Sequence, residues 1–259
     1  KSGNEVKTWS TKVVDDIHND SGKRGYYRIE ESNDQYTYLD AKWDYQTKTY
    51  TATLPETVNG QKVFAWADYD NGELKLEKQK SISHKYDGGS FKELYPIVKA
   101  ESWLKSNQNW YYQKQGQLVQ KDWVYDNGTW YFMNDKGVMF NQTWLYQGSN
   151  WYAFKSSGAM ISADWLYDNG SWYYLKDSGS MATGWIKDGG SWYYLNDSGS
   201  MATGWLKDSG TWYYLKDSGS MATGWVKDNG KWYYLASSGN MLRSTYTPDG
   251  YYVDDSGAW

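Results

Sequence analysis

The alternation of aromatic and smaller positions in the second half of the chain predicts short β-strands joined by turns. In the segment 172–175, Trp-Tyr-Tyr-Leu, a two-residue period places Trp172 and Tyr174 on one face of a strand. In the segment 181–185, Met-Ala-Thr-Gly-Trp, the same period places the Met, the Thr and the Trp together. The polar stretch between the two segments contains Gly, as hairpin loops do, so we predict that the two strands pair as a β-hairpin.

This unit recurs through residues 101–259. A Trp-Tyr-Tyr-Leu segment, or a close variant of it, opens every 20 or 21 residues, with its first Trp at Trp110, Trp130, Trp151, Trp172, Trp192, Trp212 and Trp232. A second series runs beside it at Trp103, Trp123, Trp144, Trp165, Trp185, Trp205 and Trp225. Short turn-like stretches such as 187–190 are expected to link one hairpin to the next. Because a lone hairpin is marginally stable in water, we expect the units to stack into a solenoid.

Composition indicates what the repeated rings do. The chain has 18 Trp and 27 Tyr but 5 Phe, at a mean hydropathy of −0.89. A core built for burial alone would use Phe more freely, whereas Trp and Tyr suit surfaces that are partly wet. Cages of such rings bind quaternary ammonium groups, because the ring quadrupoles attract a weakly hydrated cation. We favour such cages over the alternative, an aromatic ladder that only holds the repeats together.

Charge and missing residue types narrow the function further. The formal net charge of −4 disfavours nucleic-acid binding, which would call for a basic stripe. The absence of Cys excludes disulfides and thiolate metal sites. No apolar run approaches the roughly 18 residues of a membrane-spanning helix. The sequence begins at Lys1 without Met, and we expect an exported protein whose signal peptide is missing from this sequence.

The repeat resembles the choline-binding repeat of pneumococcal choline-binding surface proteins. The likeness lies in Gly-Trp, followed seven residues later by Trp-Tyr-Tyr-Leu and then by Asp-Ser-Gly-Ser-Met-Ala-Thr-Gly-Trp, and it covers residues 101–259. It implies a hairpin solenoid in which choline of teichoic or lipoteichoic acid binds between successive hairpins, with no cofactor. Each site would use the Trp of Gly-Trp, the next Trp-Tyr-Tyr Trp and a Tyr one hairpin further on, often with Met nearby.

Carried onto this sequence, the resemblance implies a set of choline sites. They are Trp144, Trp151 and Tyr174; Trp165, Trp172 and Tyr194; Trp185, Trp192 and Tyr214; Trp205, Trp212 and Tyr234; and Trp225, Trp232 and Tyr252, with Met181, Met201 and Met221 nearby. The second Tyr of each pair is chosen because it shares a strand face with the Trp.

The outermost repeats depart from this pattern. Trp123 and Trp130 would meet Ala153 instead of a third ring, while the first pair, at positions 103 and 110, would meet Phe132. At the other end Thr245 stands where the next Trp belongs. Residues 246–259 resemble the family's degenerate terminal unit, and we predict that they cap the array.

A glucan-binding module is the rival interpretation of these repeats. Sugar binding would require polar groups beside the aromatic platforms. The variable Ser, Asp and Lys residues are instead expected in turns, away from the Trp face, so choline is favoured over glucan.

The first hundred residues lack the repeat but are rich in strand-forming residues. Strands are predicted at 26–29, 36–39, 47–54, 63–69 and 73–77. Asp70-Asn71-Gly72 and Asn59-Gly60 are turn signals, and residues 91–95 are predicted as a short helix that stops at Pro96. We therefore expect an all-β chain, with an immunoglobulin- or fibronectin-like sandwich at 1–98 and the solenoid at 99–259; barrel-like arrangements are the alternative for 1–98.

The sequence contains no recognisable catalytic motif. His18 and His84 lack metal-ligand spacing, and Glu30 and Glu31 would point to opposite faces of a strand. We therefore predict a non-enzymatic protein of the bacterial cell surface. Its array would hold choline-bearing wall polymers, and its N-terminal domain would act as an adhesin for a host protein or glycan. The alternative is a choline-dependent wall hydrolase or esterase, or the targeting fragment of one.

Overall fold

A computed structural model of the chain describes residues 12–16, 26–30, 36–70, 73–85 and 93–259. These residues form β-strands and turns, and no helix occurs among them. By their contacts they fall into two compact units. The first reaches Asn141 and includes Ser156–Ala159, and the second comprises Gln142–Lys155 and Met160–Trp259. The predicted domain boundary at residue 98 is not the division between these units, and it stays a prediction.

The strands of the N-terminal region are antiparallel. They are β1 Lys12–Asp16, β2 Tyr26–Glu30, β3 Tyr36–Asp44, β4 Thr49–Thr53, β5 Thr57–Val58, β6 Gln61–Lys62, β7 Ala65–Asp70, β8 Glu73–Glu77, β9 Ser81–Lys85 and β10 Glu93–Ile97. Within the described residues, eight of them form one sheet in the order β8-β7-β10-β1-β2-β3-β4-β9, and β5 pairs with β6.

Eight of the described strands of this region are hydrogen-bonded in one continuous sheet, and the predicted sandwich at 1–98 stays a prediction. β3 pairs with β2 through its first half and with β4 through its second half, so it carries one sheet onward. Ala52 of β4 and Ile82 of β9 share a buried cluster with Trp66 of β7 and Leu94 of β10, although these strands lie far apart in the sheet order. The sheet therefore curves back on itself, as in the barrel-like alternative.

The strand and turn predictions for this region are largely confirmed, and the helix prediction is not. The strands near 26, 36, 49, 65 and 73 are confirmed, and Asn59 and Gly60 form a turn at φ 51° and 72°. Asp70 pairs with Glu73 as a hairpin requires, although residues 71–72 lie outside the described part. The helix predicted at 91–95 is wrong, because β10 pairs with β1 and β7; residues 91 and 92 themselves are not described.

The array consists of successive two-stranded hairpins. Its strands are β11 Glu101–Ser106, β12 Asn109–Lys114, β13 Gln117–Leu118, β14 Asp122–Asp126, β15 Thr129–Met133, β16 Trp144–Gln147, β17 Asn150–Ala153, β18 Asp164–Asp168, β19 Ser171–Leu175, β20 Gly184–Asp188, β21 Ser191–Leu195, β22 Gly204–Asp208, β23 Thr211–Leu215, β24 Gly224–Asp228, β25 Lys231–Leu235, β26 Thr245–Tyr246 and β27 Tyr252–Val253. β13 joins the first hairpin as a third strand.

The tight hairpin turn lies where the sequence predicted a link between hairpins. Between β20 and β21 the turn is Gly189-Gly190, with φ of 52° and 84°. The predicted pairing of 172–175 with 181–185 is wrong, because these segments share a single bridge, from Leu175 to Met181. Positive φ at both central residues matches the right-handed twist of paired strands. The Gly-Gly, Ser-Gly and Asn-Gly pairs are therefore the stronger hairpin signal.

A ladder of leucines forms the core of the second unit. Leu175, Leu195, Leu215 and Leu235 are fully buried, each at the end of a Trp-Tyr-Tyr-Leu strand. The Met that follows each of these strands donates its backbone N–H to the carbonyl of the Trp one hairpin earlier, as Met201 does to Trp172 over 2.8 Å. Each repeat is thereby hydrogen-bonded to its predecessor, as the solenoid interpretation requires.

Candidate functional site

One face of each hairpin carries both tryptophans of the repeat. In β20–β21, Trp185 lies opposite Tyr194, and Lys187 lies opposite Trp192. The centroids of the Trp185 and Trp192 rings are 6.5 Å apart, and the rings are inclined at 83°. Two nearly perpendicular indoles form a corner with two electron-rich walls.

The next hairpin supplies a third wall. The Tyr213 ring lies 4.9 Å from the Trp185 ring at 65°. We call the space bounded by Trp185, Trp192 and Tyr213 a ring cage. The same arrangement recurs with Trp205, Trp212 and Tyr233. In two earlier repeats the closing Tyr also contacts the first Trp, and strand pairing places the second Trp on the same hairpin face, which gives the cages Trp144, Trp151 and Tyr173, and Trp165, Trp172 and Tyr193.

The structure therefore places the first Tyr of each pair at the third wall, where the second Tyr was predicted, and contact of either ring with choline stays a prediction. Tyr174, Tyr194, Tyr214 and Tyr234 instead contact the Trp opposite them in their own hairpin. Successive hairpins stack front to back, so the ring that closes a cage must come from the reverse face of the next hairpin. Tyr213 lies on that face because strand side chains alternate.

The cage indoles are oriented by aspartates of the following hairpin turn. Nε1 of Trp185 donates to Oδ2 of Asp208 over 3.1 Å, and Trp165 donates to Asp188 over 3.0 Å. Equivalent bonds join Trp144 to Asp168 and Trp205 to Asp228. The expectation that turn aspartates lie away from the Trp face is wrong. These carboxylates anchor the indole edge and place a negative charge beside each cage.

Exposure distinguishes a cage from an aromatic ladder. Trp172 is 45% exposed, Trp192 41%, Trp212 36% and Trp232 37%, while the leucines beside them are 0% exposed. The core is thus filled by leucine, and one indole of each cage remains open to solvent. An aromatic ladder serving only stability would bury these rings.

The methionines predicted beside the ligand also have a packing role. A Cβ on Gly199 would collide with the sulfur of Met181, and Gly219 and Gly239 stand in the same relation to Met201 and Met221. Each sulfur therefore lies against the turn glycine of the next unit. Contact of these methionines with choline stays a prediction.

A glycine precedes the cage Trp at positions 184, 204 and 224, and it acts through its backbone conformation. Gly184 has a φ of 74°, and a Cβ placed on it would meet no atom within 4 Å. Its role is to adopt the left-handed conformation that disfavours other residues.

The residue opposite the exposed indole divides the cages into two kinds. Lys187, Lys207 and Lys227 place Nζ between 5.6 and 5.9 Å from the centroids of Trp192, Trp212 and Trp232. In two earlier repeats a tyrosine takes this place, with Tyr146 at 5.1 Å from Trp151 and Tyr167 at 5.0 Å from Trp172. The first kind therefore carries an ammonium group at the cage, and the second an additional ring.

The terminal cage has four rings. Trp225 lies 6.4 Å from Trp232, 5.7 Å from Tyr251 and 6.1 Å from Trp259. These rings and Asp249 line a cavity of about 360 Å³. The predicted Tyr252 instead contacts Tyr246 at 5.1 Å, so its assignment to this cage is wrong.

Asp249 and the last residues hold the terminal cage together. Trp225 donates Nε1 to Asp249 over 2.9 Å. The hydrogen bond from the Thr247 side chain, followed by the one from Trp225, holds the pKa of Asp249 below its usual value. Trp259 donates its backbone N–H to the carbonyl of Trp232 over 2.9 Å, in the place that a Met takes in other repeats. The segment after Thr245 thus packs back on the last full hairpin, as predicted for a cap.

The first hairpin contains a buried version of the cage. Trp103 is 5% exposed and contacts Trp110 at 6.2 Å and Tyr131 at 4.9 Å. Phe132, predicted as its third wall, instead contacts Trp123 at 5.1 Å. Burial and the nearby Asp126 raise the pKa of Tyr131. This cage is closed by its own packing.

Trp123 and Trp130 form a perpendicular corner with centroids 6.2 Å apart. Ala153, which the sequence places at the third position, carries no ring and is itself buried. Within the same hairpin, Phe132 lies 5.1 Å from Trp123 and Tyr125 lies 4.8 Å from Trp130, so further rings border this corner.

No group of His, Cys, Asp and Glu suited to a metal ion occurs in the part of the chain that the structure describes. Among those residues there is also no helix long and apolar enough to span a membrane. His18 lies outside the described residues, and His84 lies in β9.

Family models match most of the array. The model for a choline-binding repeat matches residues 165–203, 182–221 and 202–246. The model for a putative cell wall binding repeat matches residues 121–139 and 142–160. The search of curated protein sequences gave no match.

Two solved structures from Streptococcus pneumoniae are similar over nearly the whole chain. Choline binding protein F, in the presence of a peptidoglycan analogue (a tetrasaccharide-pentapeptide), is 31% identical with a TM-score of 0.55. That match covers 93% of this chain and 77% of the other. CbpJ from strain TIGR4 is 30% identical with a TM-score of 0.57, and its match covers 95% of this chain and 99% of the other.

Proposed function

We propose, because the chain belongs to the choline-binding protein family, that its ring cages attach it to choline on the teichoic and lipoteichoic acids of a Gram-positive cell wall. The observation that carries the proposal is the corner formed by the Trp185 and Trp192 rings. Tyr213 forms its third wall, and Asp208 lies at its edge. A trimethylammonium group is weakly hydrated, so it gains more from ring faces than it loses in leaving water.

Magnitudes explain why the cage is repeated. One desolvated cation–π contact contributes about 2 kcal/mol, and after ordering costs a three-ring cage would bind choline in the millimolar range, about −4 kcal/mol. One such site would not hold a protein on a wall. Several cages meeting a polymer that repeats choline raise the effective affinity by about 10² to 10⁴, because later contacts are intramolecular.

The attachment we propose is non-catalytic and extracellular. The cages hold the wall polymer, and the N-terminal domain is displayed as an adhesin toward a host protein or glycan. The ring cages present ring faces, an anchored carboxylate and, in three repeats, a lysine ammonium group. Binding is therefore the chemistry that they support.

Retention on a choline-like resin tests the proposal. The protein should bind an immobilised tertiary amine and be released by free choline, and a soluble glucan should not release it. Replacing Trp192 and Trp212 by Leu removes two cages, so the protein should be released at a lower choline concentration, and these exposed rings can be removed without opening the leucine core.

A matched control removes two other exposed rings. Tyr246 and Tyr252 contact each other outside the cages, so Tyr246→Leu with Tyr252→Leu should leave retention unchanged. Equal retention of both double variants would contradict the cages. Turnover of choline-containing walls by the purified chain would contradict the non-catalytic assignment.

A further inference from the structure

A second cavity lies in the N-terminal region, away from the ring cages. It has a volume of about 530 Å³ and lies between the β5–β6 hairpin, the start of β7 and the connection from β8 to β9. Its apolar lining includes Leu54, Phe64 and Trp66, and its polar lining includes Lys62, Lys78 and Lys80. A concave site with an apolar floor and a few polar groups is the usual form of a small-molecule site.

Backbone hydrogen bonds fix the walls of this cavity. Leu54 donates its N–H to the carbonyl of Lys80 over 2.9 Å, which ties the β4 end to the β8–β9 connection. Val63 donates to Glu56 over 2.9 Å and thereby closes the base of the β5–β6 hairpin. The cavity is therefore largely formed before any ligand enters, which lowers the ordering cost of binding.

The cavity is positively charged in a chain of net negative charge. Three lysines line it against one acidic residue, Glu56, while the whole chain carries −4. Lys62 places Nζ 5.1 Å from the Phe64 ring. Within the described residues, no carboxylate lies in ion-pair range of Lys62, Lys78 or Lys80. Such a site repels choline and attracts anions.

A buried amide in the lining lacks a hydrogen-bond acceptor. Nε2 of Gln79 is buried and has no partner within the described part of the chain. A buried donor left unsatisfied costs about 1–3 kcal/mol, and such groups in folded proteins call for a specific explanation. Gln79 lines the cavity, so a turn of its side chain toward a ligand oxygen would supply the missing acceptor.

We propose that this cavity binds a small organic anion that carries a carboxylate or phosphate group. The acid group is held by the three lysine ammonium groups, one ligand oxygen accepts from Gln79 Nε2, and the hydrocarbon part covers Phe64 and Trp66. The ligand proposed for the N-terminal region has a charge opposite to that of choline. Its binding therefore does not depend on the ring cages.

The test uses three sugars that share one scaffold, titrated into the whole chain and followed by NMR. The probes are N-acetylmuramic acid with a carboxylate, N-acetylglucosamine 6-phosphate with a phosphate, and neutral N-acetylglucosamine. Choline is present at saturation, so that the ring cages are occupied. At least one of the two acidic sugars should bind at least about tenfold more tightly than the neutral sugar. The acidic sugar that binds more tightly shows whether the cavity prefers a carboxylate or a phosphate. Equal binding of all three, or binding of none, overturns the proposal.

Variants locate the binding in the cavity. Changing Lys62, Lys78 and Lys80 to Gln should weaken the acid by about tenfold or more. The control changes Lys121, Lys155 and Lys176 to Gln, an equal loss of exposed charge elsewhere, and should leave the affinity unchanged. Equal affinity in both triple variants overturns the proposal.

Gln79→Leu should change acid binding and the unfolding temperature in opposite directions, which a purely structural role of Gln79 would not do. Acid binding should fall while the unfolding temperature of the free protein rises, because the substitution removes an unsatisfied donor. A fall in both would overturn the role given to Gln79. Retention on the amine resin should stay the same in every variant, so failure of this proposal is separate from failure of choline binding.

Discussion

Nε1 of Trp185 donates a hydrogen bond to Oδ2 of Asp208 over 3.1 Å, and this bond joins two successive hairpins at the edge of a cage. The carboxylate does two things at once. It fixes the plane of the indole, and it places a negative charge beside the cage that would hold a quaternary ammonium group. The cage thus combines ring faces with a fixed anion.

The first prediction separates these two effects. Asp208→Asn retains an acceptor for the indole but removes the charge, and we expect choline binding at this cage to weaken about fivefold. That factor corresponds to about 1 kcal/mol, the interaction of two charges 4 Å apart in water. Asp208→Ala should weaken it further, because the indole also loses its anchor. An NMR titration that follows the Trp185 indole N–H measures this cage alone, and unchanged affinity in both variants would argue against the carboxylate.

The second prediction concerns the residue opposite the exposed indole. Lys187 places an ammonium group 5.9 Å from the Trp192 ring, where it repels a bound cation, while Tyr167 adds a ring beside Trp172. We expect Lys187→Tyr to tighten choline binding about threefold and Tyr167→Lys to weaken it similarly. The Trp185 and Trp165 indole N–H signals report the two cages. Shifts of the same sign in both variants would contradict this explanation.

The sequence predicted the composition of the cages better than their geometry. The Trp pairs came from the resemblance to the choline-binding repeat, and in the structure the two Trp of a pair lie on adjacent strands of one hairpin. The closing ring could not be read from that hairpin, since Tyr213 comes from the reverse side of the next hairpin and only stacking brings it to Trp185. Trp185 and Asp208 are 23 residues apart in the sequence, and nothing in that spacing predicts a contact. Their hydrogen bond is seen only in the structure, where the turn that carries Asp208 packs against the indole.

The errors in the fold have similar physical origins. The wrong hairpin assignment arose because two stretches of each repeat resemble turns. The stretch after Leu175 looks like a hairpin loop in the sequence, but the Gly189-Gly190 turn has the φ values that strand twist requires. In the N-terminal region β3 is longer than its predicted strand, and its second half continues the sheet into β4. Long-range pairing of this kind leaves no local pattern, so a curved single sheet could not be distinguished from a sandwich.

The third prediction compares two glycines with similar backbones. Gly184 and Gly199 have φ of 74° and 83°, but only a Cβ at Gly199 would collide with a side chain, that of Met181. We expect Gly184→Ala to lower the free energy of unfolding by about 1–2 kcal/mol through backbone strain alone. Gly199→Ala should lower it further, because Met181 must move as well. Urea unfolding measures both changes, and an additional Met181→Ala should relieve the excess at Gly199; equal effects of the two glycine changes would contradict the packing role of Met181.

The fourth prediction tests the terminal cage. Trp259→Ala removes one of four rings but keeps the backbone N–H that binds the Trp232 carbonyl, so the cap should remain in place. We expect choline to bind this cage about tenfold more weakly, read from the Trp225 indole N–H, because one desolvated cation–π contact of 1–2 kcal/mol is lost. Tyr252→Ala is the matched control and should change little, since Tyr252 contacts Tyr246 instead of the cage.

The same cage also has an expected pH dependence. Hydrogen bonds from Thr247 and Trp225 hold the pKa of Asp249 below its usual value of 3.8, so its carboxylate stays charged as the pH falls from 7 to 5. Choline does not titrate, and its affinity for the cage should therefore be constant over this range. It should decline only as the pH falls below 3.8 and the carboxylate takes up a proton. A decline already centred near pH 6 would mean that a group other than Asp249 controls the site.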